Sequence, residues 1–258
     1  MKNNSGKEYL SGTVIKTGNL TGEIFWINVS WAGTQPRAGQ FFLVKPKTSS
    51  VFLARPLSTA AYNDGVVQFF VTVRGKGTEE IALLKKHDEI LLTGPLGNCW
   101  KDFLPVSAKK IALVSGGVGI APMACFSEEL DGSNIKFDFF AGFKKLNKDE
   151  LISIVGRMIY SGNVSVITEN GGSDKRGFVT DFIKPKDYDA VYACGPQPML
   201  KALCDMCAAD GVPCFISMEK RMACGVGACL GCTVTTKHGN KRCCADGSIF
   251  NAEDICFE

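Results

Sequence analysis

Histidine is scarce in this chain, with only two copies among 258 residues. Both His87 and His238 stand in polar stretches without a partner pattern, so we expect them at the surface. The sequence also shows no Ser-His-Asp arrangement and no paired carboxylates placed for acid–base work. These absences argue against the hydrolytic chemistries that depend on such groups.

Basic clusters and long apolar runs are also missing. The formal net charge is only +3 and no basic run is interleaved with aromatics, which argues against a nucleic-acid partner. The longest apolar stretch, 111–126, contains three glycines and a proline and is too short to span a bilayer. The polar N-terminus has no apolar signal region, so we expect neither secretion nor membrane association. The length predicts one large domain or a few small ones.

Cysteine, by contrast, is abundant, with twelve copies. Many thiols without an export signal indicate a reducing, cytoplasmic compartment in which cysteines serve metals rather than disulfides. Cys224, Cys229 and Cys232 follow a Cys-x4-Cys-x2-Cys pattern, and a further cysteine follows a short hairpin-like stretch. This spacing fits a plant-type 2Fe–2S cluster better than a zinc site.

The same segment contains one ambiguity. Gly225, Gly227 and Gly231 alternate with the cysteines and allow backbone amides to approach sulfur. The fourth ligand is uncertain because Cys243 and Cys244 are adjacent, and neighbours in an extended segment point to opposite sides. Residue reasoning alone predicts one ligand from this pair without choosing it. Zinc or free thiols are the alternatives to the cluster.

The cysteines outside this pattern are interpreted as structural. Cys204 and Cys207 stand three apart on one face of a predicted helix, and free cysteine is often buried. The others without a partner pattern are Cys99, Cys125, Cys214 and Cys256.

Short β patterns separated by glycine, proline and asparagine fill residues 8 to about 95. The clearest runs are 23–29, 40–45, 66–73 and 89–92. Strands at this spacing predict an antiparallel β-barrel or sandwich. One helix is predicted over 78–86, with Thr78 as its cap.

From about residue 108 the patterns alternate between strand and helix. Strands are predicted at 110–115, 135–140, 164–168, 190–193 and 214–218, and helices at 120–130, 148–160 and 196–209. This alternation predicts a doubly wound α/β fold with a mostly parallel sheet. The predicted architecture is therefore an N-terminal antiparallel β-barrel or sandwich, a doubly wound sheet and a small C-terminal cysteine loop domain.

Two motifs fall at the carboxyl ends of predicted strands, where such sheets bind ligands. Gly117 and Gly119 stand in a turn that opens a helix, as at a nucleotide pyrophosphate site, although Pro122 replaces the third Rossmann glycine. Cys194-Gly-Pro ends a second strand and opens another helix. Either motif alone could be a plain turn, but their common edge favours a shared site.

Two further motifs lie in the barrel half. The arginine of Arg55-Pro-Leu-Ser, which precedes a predicted strand, could neutralise a pyrophosphate. Gly75-Lys-Gly-Thr could cradle a phosphate at a helix start. Each of them could also be an ordinary loop or a helix cap.

In this order the motifs resemble the ferredoxin–NADP reductase superfamily. With Glu219-Lys-Arg-Met-Ala-Cys-Gly-Val-Gly-Ala-Cys-Leu-Gly-Cys232 and Cys244-Ala-Asp-Gly-Ser-Ile-Phe250, residues 8 to 258 resemble the electron-transfer subunits of class 1B dihydroorotate dehydrogenases. The resemblance implies an FAD-binding β-barrel at 1–103, an NAD-binding α/β domain at 104–213 and a 2Fe–2S domain at 214–258.

The resemblance also implies cofactor residues, and its fourth ligand, the cysteine before x-Asp-Gly, is Cys244. The implied cluster ligands are Cys224, Cys229, Cys232 and Cys244. The implied FAD residues are Arg55, Pro56, Leu57, Ser58, Phe70, Val71, Thr72, Gly77 and Thr78. The implied NAD residues are Gly117, Gly119, Cys194, Gly195 and Pro196. The chain departs from the family in the strand before Gly-x-Gly-Thr, where the usual arginine is displaced to position 74.

The implied function is electron transfer in pyrimidine biosynthesis. An FMN-containing catalytic subunit, in a heterotetramer of two copies of each chain, would oxidise dihydroorotate. Electrons would pass through the 2Fe–2S cluster to FAD and then to NAD+. NAD is favoured over NADP because Glu169 follows a strand where a ribose could bind.

Two alternative functions stay open. The small subunit of an NADH-dependent ferredoxin:NADP oxidoreductase or sulfide dehydrogenase has the same three-part plan. That group often carries aspartate at one cluster position, whereas position 224 is cysteine here. The alternative of another class is a zinc-stabilised binding module without turnover.

Overall fold

The computed structural model describes residues 9–157 and 162–257. Its strands form a closed six-stranded barrel, a seven-stranded sheet and a two-stranded hairpin. Within the described residues, no helix is both long and apolar enough to cross a membrane. The predicted succession of a barrel, a doubly wound sheet and a small C-terminal unit is confirmed.

The barrel is antiparallel throughout. Its strands are β1 (Leu10–Asn19), β2 (Ile24–Ser30), β3 (Phe41–Pro46), β4 (Arg55–Asn63), β5 (Val66–Thr72) and β6 (Glu89–Leu96). They follow the order β1-β2-β5-β4-β3-β6, and pairing of β1 with β6 closes the barrel and removes its free edges. Inside, the ring of Phe42 meets Trp31 and Phe69 edge to face at centroid distances of 4.9 and 5.5 Å.

The helix of the barrel domain differs from its prediction. Helix α1 covers Lys76–Ala82 rather than 78–86, and its N-cap is Gly75. Thr78 is therefore the third helical residue and not the cap. The helix begins earlier because the Thr78 hydroxyl reaches back and accepts the N–H groups of Arg74 and Gly75 at 2.9 and 3.2 Å.

A parallel sheet occupies the second half of the chain. Its strands are β7 (Lys110–Gly116), β8 (Lys136–Phe143), β9 (Gly162–Thr168), β10 (Lys175–Arg176), β11 (Ala190–Cys194) and β12 (Cys214–Ser217). They are ordered β10-β9-β8-β7-β11-β12, and every neighbouring pair is parallel. The order reverses beside β7, so the carboxyl ends of β7 and β11 flank the crevice where such sheets bind ligands.

Three helices connect the strands of this sheet. They are α2 (Ile120–Leu130), α3 (Lys148–Arg157) and α4 (Gln197–Asp210). Gly211, at φ +67°, ends α4 in the left-handed conformation. The predicted helix at 148–160 is confirmed as far as residue 157, and residues 158–160 lie outside the described residues.

The C-terminal segment is attached to both larger units. The cysteine loop follows β12 and leads into a hairpin of β13 (Thr233–Thr236) and β14 (Gly239–Arg242). Strand β15 (Ile249–Asn251) then pairs antiparallel with β12 and becomes the seventh strand of the sheet. From the barrel side, the Asn98 amide donates to the carbonyl of Ile249 at 2.8 Å and accepts its N–H at 3.0 Å.

Aromatic packing joins the barrel to the sheet. Trp100, just after β6, is fully buried and stacks on Phe126 of α2 with ring centroids 6.0 Å apart. Tyr192 of β11 meets both rings edge-on at 5.9 and 5.2 Å. These contacts hold α2 and β11, which carry two of the predicted motifs, against the barrel.

A polar network lies near the amino ends of β7 and β8. Asp138 accepts hydrogen bonds from Lys110 Nζ at 3.0 Å, the Tyr188 hydroxyl at 2.8 Å and the Asn163 amide at 2.9 Å. Although burial opposes its ionisation, these hydrogen bonds lower the pKa of Asp138. The network is distant from the predicted site edge and serves the fold.

Both histidines are exposed, as predicted. His87 has a φ of +78°, in the left-handed region. His238 Nε2 lies 3.2 Å from Asp254 Oδ1, a contact that the sequence pattern did not indicate.

Candidate cofactor sites

The first candidate site joins the start of β4 to the start of α1. The Arg55-Pro-Leu-Ser motif was predicted to precede a strand, but it forms the first residues of β4. A Cβ added at Gly77 would lie 2.3 Å from Arg55 Nε, so the guanidinium packs directly on this glycine. Arg55 Nη1 also donates to the carbonyls of Leu53 and Ala54 at 3.1 and 3.3 Å. Any side chain at position 77 would displace the guanidinium.

Most of the other predicted FAD residues lie on the neighbouring strands β4 and β5, and Thr78 lies in α1. Leu57, Phe70 and Val71 are buried, whereas Pro56, Ser58, Thr72 and Thr78 are half-buried. Sequence reasoning missed Thr59, which is fully buried and whose hydroxyl has no hydrogen-bond partner among the described residues. An orphaned buried hydroxyl is costly, so its presence beside this motif fits a bound polar group. The only sequence signal was a hydroxyl residue at an inward strand position.

A polar cleft of about 850 Å³ opens beside β5 and the turn between β1 and β2. Thr72 and Arg74 line the cleft from the end of β5, and Lys144 lines it from the side of the sheet. The arginine displaced from its usual position in the family therefore stands at the wall of a cleft. Two cations in such a wall can neutralise a phosphate. Neither was assigned a cofactor role from the sequence.

The second candidate site lies where β7 and β11 end side by side. A Cβ at Gly119 would be 2.2 Å from the carbonyl oxygen of Cys194, and one at Gly116 would be 2.7 Å from Cδ of Pro196. A Cβ at Gly195 would be 2.9 Å from the backbone nitrogen of Gly116. The two motifs are therefore packed backbone to backbone at one edge of the sheet. Sequence reasoning had not singled out Gly116.

Polar groups without side-chain partners surround this contact. Gly119 is the N-cap of α2 and has no side chain to cap the helix, and the N–H of Ile120 donates to the carbonyls of Gly117 and Val118 in the preceding 3₁₀ turn. The Ser115 hydroxyl, beside Cys194 in the ladder of β7 and β11, is buried and has no hydrogen-bond partner within the described ranges. Gly117 has a φ of +55° and open space at its Cβ position, so the backbone conformation requires this glycine. These groups suit an anionic or amide-bearing ligand.

The thiol of Cys194 is neutral at physiological pH. Burial raises its pKa to about 12, and the Glu219 carboxylate adds to this rise while the Ser217 hydroxyl opposes it. Ser217 stands opposite Cys194 in the ladder between β11 and β12. Glu219, which begins the cysteine-rich segment, therefore lies close to the second site. No sequence pattern had marked it for this position.

The four predicted cluster cysteines lie as two pairs. Cys232 Sγ is 3.3 Å from Cys244 Sγ. The Sγ of Cys224 accepts the backbone N–H groups of Cys229 at 3.4 Å and Val226 at 3.5 Å. In the parts of the chain that the structure describes, no three His, Cys, Asp or Glu side chains form a group for a single metal ion. Two pairs of thiols suit a binuclear cluster.

The electrostatics of the two pairs differ. Although burial opposes its ionisation, backbone N–H groups, first among them that of Cys229, lower the pKa of Cys224 to about 6. Burial and the neighbouring Cys232 raise the pKa of Cys244 to about 12, although the Gly227 N–H donates to its sulfur at 3.1 Å. Cys244 therefore needs a nearby cation, such as a bound metal, to become a thiolate at neutral pH.

Cys243 has a different environment from its neighbour. It is fully buried, and burial raises its pKa to about 12. Its backbone N–H donates to the carbonyl of Cys232 at 3.1 Å, whereas the close contact between sulfur atoms is made by Cys244. These contacts favour Cys244 as the fourth ligand.

Glycines allow the cysteine loop to pack closely. Gly225 has a φ of +69°, and a Cβ there would lie 2.7 Å from Leu43 Cδ1 of the barrel. Gly227 has a φ of +79° and packs against Arg242 and Ala245. Both positions require glycine for conformation as well as for space.

The cysteines outside the loop divide by burial. Cys204 and Cys207 of α4 are buried, as predicted, and the Cys204 thiol hydrogen-bonds that of Cys214 in β12. Cys99 and Cys125 are also buried. Cys256 is exposed.

Comparison with known proteins shows relatives over nearly the whole chain. The family model for the iron-sulfur cluster binding domain of dihydroorotate dehydrogenase B matches residues 219–256. The dihydroorotate dehydrogenase B (NAD(+)) electron transfer subunit of Clostridium acetobutylicum is 41% identical over 219 residues, which cover 85% of this chain and 86% of that protein. The subunit of the same name from Clostridium perfringens is 39% identical over 255 residues, which cover 97% of this chain and 99% of that protein.

Solved structures share the fold. The structure of an NADH-dependent reduced ferredoxin-NADP oxidoreductase, described for flavin-based electron bifurcation, matches with a TM-score of 0.82 and 27% identity over 95% of this chain and 89% of that chain. A ferredoxin-NADP+ reductase from Plasmodium falciparum with 2'P-AMP matches with a TM-score of 0.62 and 20% identity over 79% of this chain and 92% of that chain. Because the sequence identity to this reductase is only 20%, the similarity concerns the fold alone.

Proposed function

Because the chain belongs to the family of dihydroorotate dehydrogenase B electron transfer subunits, we propose that its three sites form one electron path between a partner subunit and NAD+. The protein is the electron transfer subunit of an oxidoreductase in pyrimidine biosynthesis and works with a dihydroorotate dehydrogenase catalytic subunit. Its cofactors are a 2Fe–2S cluster, FAD and NAD. We infer further that the partner contains FMN, that the complex holds two copies of each chain, and that it is cytoplasmic.

The paired arrangement of the cluster cysteines is the observation that carries the proposal. We assign Cys224 with Cys229 to one iron, and Cys232 with Cys244 to the other. When bound, the cluster exchanges single electrons, FAD stores a pair and NAD+ accepts a hydride. The chain's own part is to aim backbone N–H groups at the sulfurs, as Gly227 does toward Cys244.

At the first site, the barrel residues would hold FAD. The Arg55 guanidinium, packed on Gly77, would neutralise the pyrophosphate where α1 begins. Ser58 and the orphaned hydroxyl of Thr59 would hydrogen-bond polar atoms of the cofactor. The assigned set is Arg55, Pro56, Leu57, Ser58, Phe70, Val71, Thr72, Gly77 and Thr78, with Thr59 and Arg74 added from the structure.

At the second site, the edge formed by β7 and β11 would hold NAD. The N–H groups at the start of α2 would bind its pyrophosphate, and the close contact of Gly119 with Cys194 would shape the crevice. The neutral thiol of Cys194 would present an uncharged surface to the nicotinamide. The assigned set is Gly117, Gly119, Cys194, Gly195 and Pro196, with Gly116 added.

The units at 1–103, 104–213 and 214–258 stay our proposal for the domains. The strands β12 and β15 connect the last unit to the sheet of the second. The cluster segment thereby starts beside the NAD site, since Glu219 lies near Cys194. This proximity, together with the packing of Gly225 against Leu43 of the barrel, supports a compact arrangement of the three cofactor sites.

One rival keeps some structural support. The NADH-dependent reduced ferredoxin-NADP oxidoreductase shares the fold at 27% identity, compared with 41% for a dihydroorotate dehydrogenase B subunit. Cysteine rather than aspartate at position 224 also favours the latter. The zinc alternative finds no support, because the matching family model is that of an iron-sulfur domain.

A reconstitution experiment tests the proposed function. The purified chain should show flavin and iron–sulfur absorption and contain iron and sulfide. Combined with an FMN-containing subunit that oxidises dihydroorotate, it should couple that oxidation to NAD+ reduction, and the catalytic subunit alone should not. A colourless protein that contains zinc, or a coloured protein that never supports NAD+ reduction with this partner, would contradict the proposal.

A further inference from the structure

An ion pair spans the segment that carries the fourth cluster cysteine. Arg242 ends β14, and Asp246 lies four residues further on, with Cys244 midway between them. Arg242 Nε and Nη2 each lie 2.9 Å from a different oxygen of Asp246. The same carboxylate accepts the backbone N–H of Arg242 at 2.7 Å. This bidentate pair closes a ring around Cys244.

Arg242 also reaches the opposite side of the cysteine loop. Its Nη1 donates to the carbonyl of Gly227 at 3.2 Å, and a Cβ at Gly227 would lie 3.0 Å from the same nitrogen. The guanidinium is therefore in contact with the loop backbone as well as with Asp246. Arg242 therefore adds a side-chain link between the two chain segments that supply cluster ligands.

Two peptide N–H groups beside this contact face the sulfurs. The N–H of Gly227 donates to Cys244 Sγ at 3.1 Å. The next N–H, that of Ala228, donates toward Cys224 and belongs to the peptide whose carbonyl Arg242 binds. A guanidinium on the carbonyl polarises that peptide and strengthens its N–H as a donor. Arg242 thereby influences Cys224 through this peptide, and it acts on Cys244 and Cys232 directly through its charge.

The charges of the pair act on the same sulfurs with opposite sign. Arg242 interacts electrostatically with Cys244 and Cys232. Reduction adds negative charge to a cluster, so a nearby cation favours the reduced form and a nearby anion favours the oxidised form. In the intact pair, Asp246 offsets much of the effect of Arg242. Removing one member therefore exposes the other.

We propose that Arg242 and Asp246 are positioning residues that tune the 2Fe–2S cluster, with Arg242 raising and Asp246 lowering its reduction potential. The proposal rests on the proposed cluster site and deepens it. Unlike the two members of an ordinary surface ion pair, Arg242 and Asp246 should have opposite and measurable effects on one cofactor. The same contacts hold the loop against the loss of the cluster.

The test is a redox titration of the full-length protein, with the reduced cluster followed by electron paramagnetic resonance. Arg242→Gln should lower the potential and Asp246→Asn should raise it. Each shift should correspond to about a tenfold change in the one-electron equilibrium, which is about 59 mV. Arg242→Lys keeps the charge but not the bidentate geometry, so its potential should stay closer to wild type while its cluster is lost faster on exposure to a chelator.

Lys237→Gln is the matched control, because it removes one positive charge from the exposed turn between β13 and β14. Shifts of the same sign in Arg242→Gln and Asp246→Asn, or shifts no larger than that of the control, would overturn the proposal. If Arg242→Gln fails to retain a cluster, Arg242→Lys decides. Retention with a near-wild-type potential supports the proposal, and loss of the cluster there too overturns the tuning role.

The outcomes also separate this proposal from the one on which it rests. A wild-type protein without a 2Fe–2S signal would contradict the proposed function itself. A wild-type protein with the signal, whose potential the pair does not move, would overturn only the tuning by Arg242 and Asp246.

Discussion

The adjacent cysteines 243 and 244 offer a sharp test of the cluster site, because the same substitution at neighbouring positions should have different consequences. Cys244 Sγ lies 3.3 Å from Cys232 Sγ and accepts the N–H of Gly227. Cys243 is fully buried, and its backbone N–H donates to the carbonyl of Cys232. Cys244→Ala should therefore remove a ligand, whereas Cys243→Ala should remove only packing.

The expected size of each effect follows from these environments. Cys243→Ala deletes one buried sulfur and leaves a small cavity, which should cost about 1–2 kcal/mol of unfolding free energy. For a chain of this size, that corresponds to a fall in Tm of about 2–8 °C. Its iron content should stay near that of wild type. Cys244→Ala leaves three thiolates for two irons, so iron and sulfide should fall close to background.

The test measures the iron and sulfide content, the visible spectrum and the thermal unfolding of both variants. Flavin content is the internal control, because neither cysteine belongs to the assigned FAD residues and both variants should keep FAD. Cys243→Ala without iron, together with Cys244→Ala at the wild-type level, would refute the assignment of the fourth ligand. Loss of iron from both would show that core packing at Cys243 is needed to form the site.

Other predictions concern the nucleotide sites and the fold. Gly119→Ala puts a Cβ 2.2 Å from the Cys194 carbonyl and should weaken NADH binding in a fluorescence titration and lower the unfolding free energy by about 1–3 kcal/mol. Gly77→Ala puts a Cβ 2.3 Å from Arg55 Nε and should weaken FAD binding by about tenfold, measured by flavin release. Asp138→Asn should lower stability by about 1–3 kcal/mol at neutral pH. Because the folded pKa of Asp138 is lowered, this contribution is complete above the unfolded pKa of about 3.9 and is lost as the pH falls through the folded value, which denaturation at several pH values checks.

Gly156→Ala is the matched control for both glycine variants. It lies exposed in α3, with nothing near its Cβ position, so alanine there should be neutral or stabilise by about 0.5–1 kcal/mol. If Gly119→Ala or Gly77→Ala left cofactor binding and stability as unchanged as this control, close packing at these glycines would not be needed for the cofactor sites. For Asp138→Asn, a stability difference from wild type that persists unchanged at acid pH would contradict the ionised state assumed for this residue.

Local patterns were enough to predict the architecture. The alternation of strand and helix after residue 108 is confirmed in β7 to β12 and α2 to α4. Such elements are predictable because the periodicity of buried side chains and the positions of glycine and proline act within a few residues. The cysteine spacing likewise indicated an iron–sulfur cluster, since its ligands come mostly from one short loop.

Predictions at element boundaries were less successful. Thr78 looked like an N-cap, but its hydroxyl reaches backward and the helix begins at Lys76. Arg55-Pro-Leu-Ser looked like a loop before a strand, but β4 already begins at Arg55. Threonine and proline are each compatible with two local roles. Hydrogen bonds from Arg74 and Gly75 select the role of Thr78, whereas pairing with β3 makes Arg55-Pro-Leu-Ser part of a strand.

The sequence by itself determined the order of the elements, the motifs at their ends and the kind of metal chemistry, because these depend on residue type and short spacing. Only the tertiary structure decided which distant residues meet. It brought Gly116 and Gly119 against Cys194-Gly-Pro, gave Cys244 rather than Cys243 the sulfur contact, and placed Arg242 on the cysteine loop. Such contacts depend on how the barrel, sheet and hairpin pack together, and no local pattern encodes that packing.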